Sequence, residues 1–179
     1  MPTFLTERLV LRPFELADAP TVETLAGDED VARTTFIPHP YPKGAAAHWI
    51  ESGHQAMEQG TGYPLAMRLR LDNQLVGCMS LLISPEHQRG TLAYWVGRPY
   101  WGQGYATEAA RRVVAFGFDE LHLHRIGAAA LHRNRASTRV MEKAGLQCEG
   151  TLRDDLLHWG VFEDVDYYGL LQRDYLACR

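Results

Sequence analysis

The stretch RPYWGQGYATEAARRVV, residues 98–114, sets Gly102 and Gly104 one residue apart, directly before an alanine-rich apolar run, and no acid stands between Arg98 and Thr107. A helix N-terminus carries unpaired backbone N–H groups and about half a positive charge. Glycines in front of it let the backbone approach a ligand closely, so the stretch reads as a site for a phosphate-sized anion. An early acid would compete with that anion. Glu108 is the first one, already inside the helix, and it reads as a first-turn acid favoured by the helix dipole. A plain tight turn into a helix accounts for the glycines too. Two other phosphate motifs do not fit: no lysine follows as a P-loop requires, and Thr107 stands where a dinucleotide fingerprint needs a small residue.

Charge agrees with a compact anion as ligand. The chain of 179 residues has a formal charge of −4, yet residues 98–143 hold eight basic side chains (Arg98, Arg111, Arg112, Arg125, Arg133, Arg135, Arg139, Lys143) against four acids. A locally basic stretch in an acidic protein favours a small anion over a nucleic-acid backbone, and a solvated helix face is the bland alternative. The N-terminus lacks an apolar signal core, and no run approaches the roughly 20 apolar residues of a membrane span. Cys78, Cys148 and Cys178 are odd in number and widely spaced, which argues against disulfides or zinc and for a reducing cytoplasm. His122 and His124 have no further ligand at metal spacing. No metal is expected.

The length fits a single domain, 1–179. RLVLRPF alternates as a strand, and LADAPTVETLAG and AAAHWIESGHQAMEQG read as helices on either side of a proline-rich loop. Two strands flank DNQ, and TLAYWV is a third. The helix after the glycines runs from about Tyr105 to Leu121, with Ala106, Ala109, Ala110, Val113, Val114, Gly117 and Leu121 as its apolar stripe. The strand RIGAAAL, the helix ASTRVMEKAG and a strand pair turning near WG complete the chain. This order predicts an α+β fold: a mixed, mostly antiparallel sheet of seven strands, with one parallel crossover and helices on both faces.

YWVGRPYWGQGYATEA, HRNRASTRVMEKAGL and EGTLR, in that order, resemble the GCN5-related N-acetyltransferase (GNAT) superfamily. TERLVLRPF and IPHPYP resemble its branch of ribosomal-protein N-terminal (RimJ/RimL-type) acetyltransferases. The likeness runs from about Thr6 to Tyr175. It implies the GNAT acyl-CoA N-acyltransferase fold and acetyl-CoA as co-substrate. The pyrophosphate would sit on Gly102, Gln103, Gly104, Tyr105, Ala106 and Thr107, with the pantetheine arm along the backbone near Trp95 and Val96. Trp101 departs from the Arg or Gln usual at the first loop position, and Arg98 or an arginine of the next helix is the expected substitute. Asn134 and Ser137 match the family's Asn-x-x-Ser; the asparagine would face the coenzyme and the serine would return a proton to the leaving thiolate. Both residues are also ordinary helix caps. Arg139 and Lys143 would come within reach of an outer phosphate, or simply be solvated.

The implied reaction is direct attack of an amine on the thioester, with a backbone N–H near Val96 as oxyanion donor. Neutralising an α-amine at pH 7 costs roughly 1 kcal/mol, and a lysine roughly 4.6 kcal/mol. An α-amine therefore asks little of a base, and none is obvious. Asp155, beside Asp154 in the last strand pair, is the candidate. Phe36, Tyr41, Trp49 and Trp159, with His39 and His158, are candidates to line the acceptor pocket, against simple packing. The acceptor is a primary amine, either a protein N-terminus or a free small molecule such as an antibiotic, polyamine or amino acid. A non-catalytic acyl-CoA sensor is the rival from another class. The family resemblance also allows a homodimer.

Overall fold

A computed structural model describes residues 1–177; Cys178 lies outside the described residues. Strands β1 (Phe4–Leu5) and β2 (Leu9–Pro13) lead into helices α1 (Ala19–Ala26), α2 (Glu29–Ala32) and α3 (Ala45–Gln59). Strands β3 (Gly62–Leu69), β4 (Leu75–Ser84) and β5 (Arg89–Val96) follow as a meander. Helix α4 (Tyr105–Asp119) crosses to β6 (Arg125–Leu131), and α5 (Arg135–Lys143) precedes the hairpin β7 (Gln147–His158) and β8 (Val161–Leu171). A short helix, α6 (Gln172–Ala177), ends the described chain.

The sheet order is β1-β2-β3-β4-β5-β6-β8-β7, and only β5 and β6 run parallel. The sheet thus has eight strands rather than seven. The extra one, Phe4–Leu5, is two residues long and pairs with Val10 and Leu11, too short for any alternation to show in the sequence. Helices cover both faces. On one face, Val113 and Ala110 of α4 and Met141 of α5 pack against Leu9, Leu65, Met79 and Ile126. On the other, Val22 of α1 and Ile50 of α3 pack against Ala66, Cys78 and Trp95. The alternation of β3, β4 and β5 supplies both surfaces, since successive side chains point to opposite sides.

Asp18 closes the second layer. It is buried, and both Arg12 (3.1 Å) and Arg68 (2.7 Å) reach its carboxylate. Such a group needs its partners, because a buried charge left alone costs several kcal/mol.

Candidate active site

The functional cleft follows from how β5 leaves β6. Their parallel pairing spans only Arg89–Thr91 with Arg125–Gly127. Beyond it the strands diverge, and a cleft of about 1040 Å³ opens between them. The antiparallel register with β4 decides which backbone groups face this gap. Gly97 N–H donates to the Val76 carbonyl at 2.9 Å, and the ladder alternates from there. The backbone of Trp95 therefore pairs with Cys78 in β4, whereas the polar groups of Tyr94 and Val96 point away from β4 and across the gap. The side chain of Trp95 still lines the cleft.

One end of the cleft is the glycine loop. Gly102 and Gly104 have φ of 74° and 82°, the left-handed region that glycine adopts without penalty. Gly104 is the N-cap of α4, so the first N–H groups of that helix have no side-chain cap. Gly102, Gly104, Tyr105, Ala106 and Thr107 all line the cleft, whereas the Gln103 side chain turns back to donate to the Pro99 carbonyl at 3.2 Å. Trp101 also lines it, and its indole N–H donates to the Val96 carbonyl at 2.6 Å.

Arg98 does not stand in for the missing motif arginine, because it pairs with Asp30 at 3.1 Å. The cation beside the loop is Arg8. Its guanidinium donates to the Gln103 carbonyl (2.9 Å) and to Glu108 (2.7 Å), and lies 4.7 Å from the Tyr105 ring centre. Glu108 also accepts from the Arg8 backbone N–H (2.7 Å) and the Thr6 hydroxyl (2.5 Å). Burial pushes the Glu108 carboxyl up, but those hydrogen bonds and the charge of Arg8 outweigh it and hold the group below its ordinary value. Glu108 is a clasp between the N-terminal strand and α4 rather than a base in the cleft.

The opposite wall is the start of α5. Asn134 caps it, its Oδ1 accepting from Ser137 N–H at 3.2 Å, while its amide donates to the Thr34 carbonyl at 3.3 Å. Ser137 Oγ lies 2.7 Å from the Tyr94 hydroxyl, which also reaches the Ser137 carbonyl at 3.0 Å. Burial pushes Tyr94 up to about 12, with the Ser137 hydrogen bond opposing it, so the phenol stays protonated. Of the eight basic side chains in residues 98–143, six are engaged with an acid or a carbonyl. Arg139 and Lys143 have no side-chain partner among the described residues, and both line the cleft.

The far end is apolar. Phe36, Tyr41 and Trp49 line it, together with Cys78 and Ser80. Trp159 does not. It sits in the turn of the β7–β8 hairpin, stacked on His158 and near His39 and Arg33, where it holds the 33–39 loop. Asp155 is also outside the cleft, exposed and accepting from the Tyr167 hydroxyl at 2.7 Å. Strict alternation fails there, because the register shifts between Leu152 and Leu156 and Asp154 has φ of 49°. Burial drives the Cys78 thiol up to about 12, so it is no nucleophile at neutral pH. Among the described residues no three His, Cys, Asp or Glu side chains converge as metal ligands, and no helix is long and apolar enough to cross a membrane.

Sequence reasoning missed Arg8, Tyr94 and Cys78. Tyr94 and Cys78 sit in strands that read as core. Arg8 could have been found through its TERL context, but only if paired with a glutamate 100 residues away.

The Acetyltransferase (GNAT) domain model matches residues 8–147. An uncharacterized N-acetyltransferase, p20, of Bacillus licheniformis is 31% identical over 176 residues, covering 98% of this chain and 99% of that one. The ribosomal-protein-S5-alanine acetyltransferase of Vibrio fischeri superposes with a TM-score of 0.85 at 20% identity, covering 98% and 99% of the two chains. The spermidine N-acetyltransferase of Vibrio cholerae, solved with CoA and spermine, superposes at 0.81 with 21% identity, covering 94% and 98%.

Proposed function

The chain belongs to the GNAT acetyltransferase family and is an N-acetyltransferase, and from that premise we propose that it carries acetyl from acetyl-CoA directly to a primary amine, the α-amine of a protein N-terminus. One observation carries this reading: a single cleft runs from the glycine loop, past the free edge of β5, to an aromatic chamber. Two solved structures with this fold bear different acceptors in their names, so the fold leaves the acceptor open. A free small amine is the second reading, favoured by the same aromatic chamber.

The residues fit the coenzyme. The α4 N-terminus and the backbone of residues 102–107 would hold its diphosphate, Arg139 and Lys143 an outer phosphate, and the backbone of Tyr94 with the Val96 N–H its amide-bearing arm. Bound acetyl-CoA supplies a thioester carbonyl already activated toward amines. The chain then has three tasks. Val96 N–H donates to the carbonyl oxygen as charge develops. Ser137, held by Tyr94, protonates the departing thiolate as the C–S bond breaks and the C–N bond forms. The proton released by the amine goes to solvent, which regenerates Ser137. No acyl-enzyme is needed, consistent with the inert Cys78.

A cytoplasmic setting and a homodimer belong to the same reading. The unbridged Cys78 and Cys148 support the first, and Leu157 and Phe162, exposed on the hairpin at the sheet edge, support the second. Titration calorimetry with acetyl-CoA, followed by free-thiol release with peptides differing in their first two residues, tests the function. Heat of binding with amine-dependent thiol release is expected; a folded protein that gives neither ends the proposal.

A further inference from the structure

The residues around the acceptor chamber are notable for their charge. Among the described residues, Arg139 and Lys143, both on α5 at the coenzyme end, are the only ionic side chains lining the cleft, and no Asp, Glu or His stands in its wall. Acids on the neighbouring elements are engaged with other groups. Asp30 pairs with Arg98, Glu23 accepts from Gly44 N–H at 2.8 Å, and Glu163 pairs with Arg133. Asp28 caps α2, and Asp18 holds Arg12 and Arg68. Side chains from every packed element agree: Val22 and Ala26 of α1, Val31 of α2, Trp49 of α3, and Ala129 and Leu131 of β6.

A polycation entering this chamber would leave water for a wall without counter-charge, and unpaired buried charge is strongly disfavoured. A molecule with a single amine has a way out. Desolvation favours its neutral form, and the neutral form is the one that attacks. Its carbon body, meanwhile, gains from contact with Phe36, Tyr41 and Trp49.

We propose that the acceptor is a primary amine whose amino group is the only charge on the part that enters the chamber and whose body there is apolar and of aromatic side-chain size, and that the chamber deprotonates it by desolvation, without a protein base. This rests on the acetyltransferase reading above. The titratable groups facing the chamber fit it. Burial, with the charge of Glu23 adding, pushes Tyr41 up, while Cys78 and Tyr94 both stand at about 12, so none accepts a proton near neutrality.

The test uses the full chain with acetyl-CoA and five acceptors: 2-phenylethylamine, tryptamine, a C-terminally amidated tetrapeptide beginning with Phe and without other charged side chains, spermidine and kanamycin. We expect kcat/KM at least about tenfold higher for one or more of the first three than for the two polycations. Ranking the peptide against the free amines identifies the source of the amine. Phe36→Ser, at a residue 69% exposed and so tolerant of change, should lower kcat/KM for the apolar amines by about threefold or more and leave acetyl-CoA affinity unchanged. With two apolar amines of different basicity, the midpoint of the pH–kcat/KM profile should follow the amine. Preference for spermidine or kanamycin, no turnover of any acceptor by coenzyme-bound protein, or a midpoint fixed across amines overturns the inference and leaves coenzyme binding standing. Absence of acetyl-CoA binding removes the acetyltransferase reading itself.

Discussion

In the proposed reaction Ser137 and Tyr94 act as one unit, with oxygens 2.7 Å apart. The phenol stays protonated and steers the serine hydroxyl; it acts through Ser137. A CoA thiolate, like other thiolates of pKa about 8.5, leaves readily, so the acid contributes modestly. Ser137→Ala should therefore lower kcat by about tenfold with acetyl-CoA affinity nearly unchanged, and Tyr94→Phe by less, both read by steady-state kinetics beside calorimetry. Ser137 was legible because it sits in a motif with a spacing. Tyr94 was not, since a tyrosine between Leu92 and Val96 on a strand has the pattern of core. Glu108 makes a second prediction. Its pKa is held below 4.5, so the stability it contributes is full above that pH and is lost as pH falls through its lower, folded-state value. Glu108→Gln should cost about 1–3 kcal/mol at pH 7 and flatten the acid limb of a stability–pH curve measured by urea denaturation.

At the scale of elements, the glycine loop is where sequence and structure agree most closely. Gly104→Ala forces a Cβ into φ 82°, at about 1–2 kcal/mol, and brings it 3.4 Å from the Arg8 guanidinium. The variant should fold with a lowered melting temperature and bind acetyl-CoA more weakly, as thermal shift with and without coenzyme would show. Helices α1, α3, α4 and α5 were readable because each has a continuous apolar stripe or clear stops. Strands β2 to β6 and the β7–β8 turn at Trp159 and Gly160 were readable by alternation and turn chemistry. Other features were not, among them the short helix α6 (Gln172–Ala177), which the sequence reads as part of the closing strand pair. The strand β1 and helix α2 are too short for periodicity. The bulge in β7 rotates Asp154 and Asp155 off any simple two-residue pattern, and that misassigned Asp155. Trp159 offered only its residue type, and an aromatic in a hairpin turn serves equally to pin a loop.

Across the whole molecule, the sheet is two blocks, β1–β5 and β6–β8, joined directly by three residue pairs between Arg89–Thr91 and Arg125–Gly127. That seam is read from topology, since nothing local in TLAYWV or RIGAAAL tells where two strands stop pairing. It also means that the sheet is incomplete by itself. A ligand lying along Tyr94 and Val96 would serve as the missing rung between the blocks, so filling the cleft should tie them together. At a ligand concentration of about 100 times Kd, that linkage is worth about 2.7 kcal/mol. Deuterium uptake would locate it: the amides of Tyr94 and Val96 should exchange quickly in the free protein and slow sharply once coenzyme is added, while Trp95, already bonded to β4, should change little. The protein would thus carry, in two alternating amides of one strand, a position-by-position record of whether its halves are stitched together.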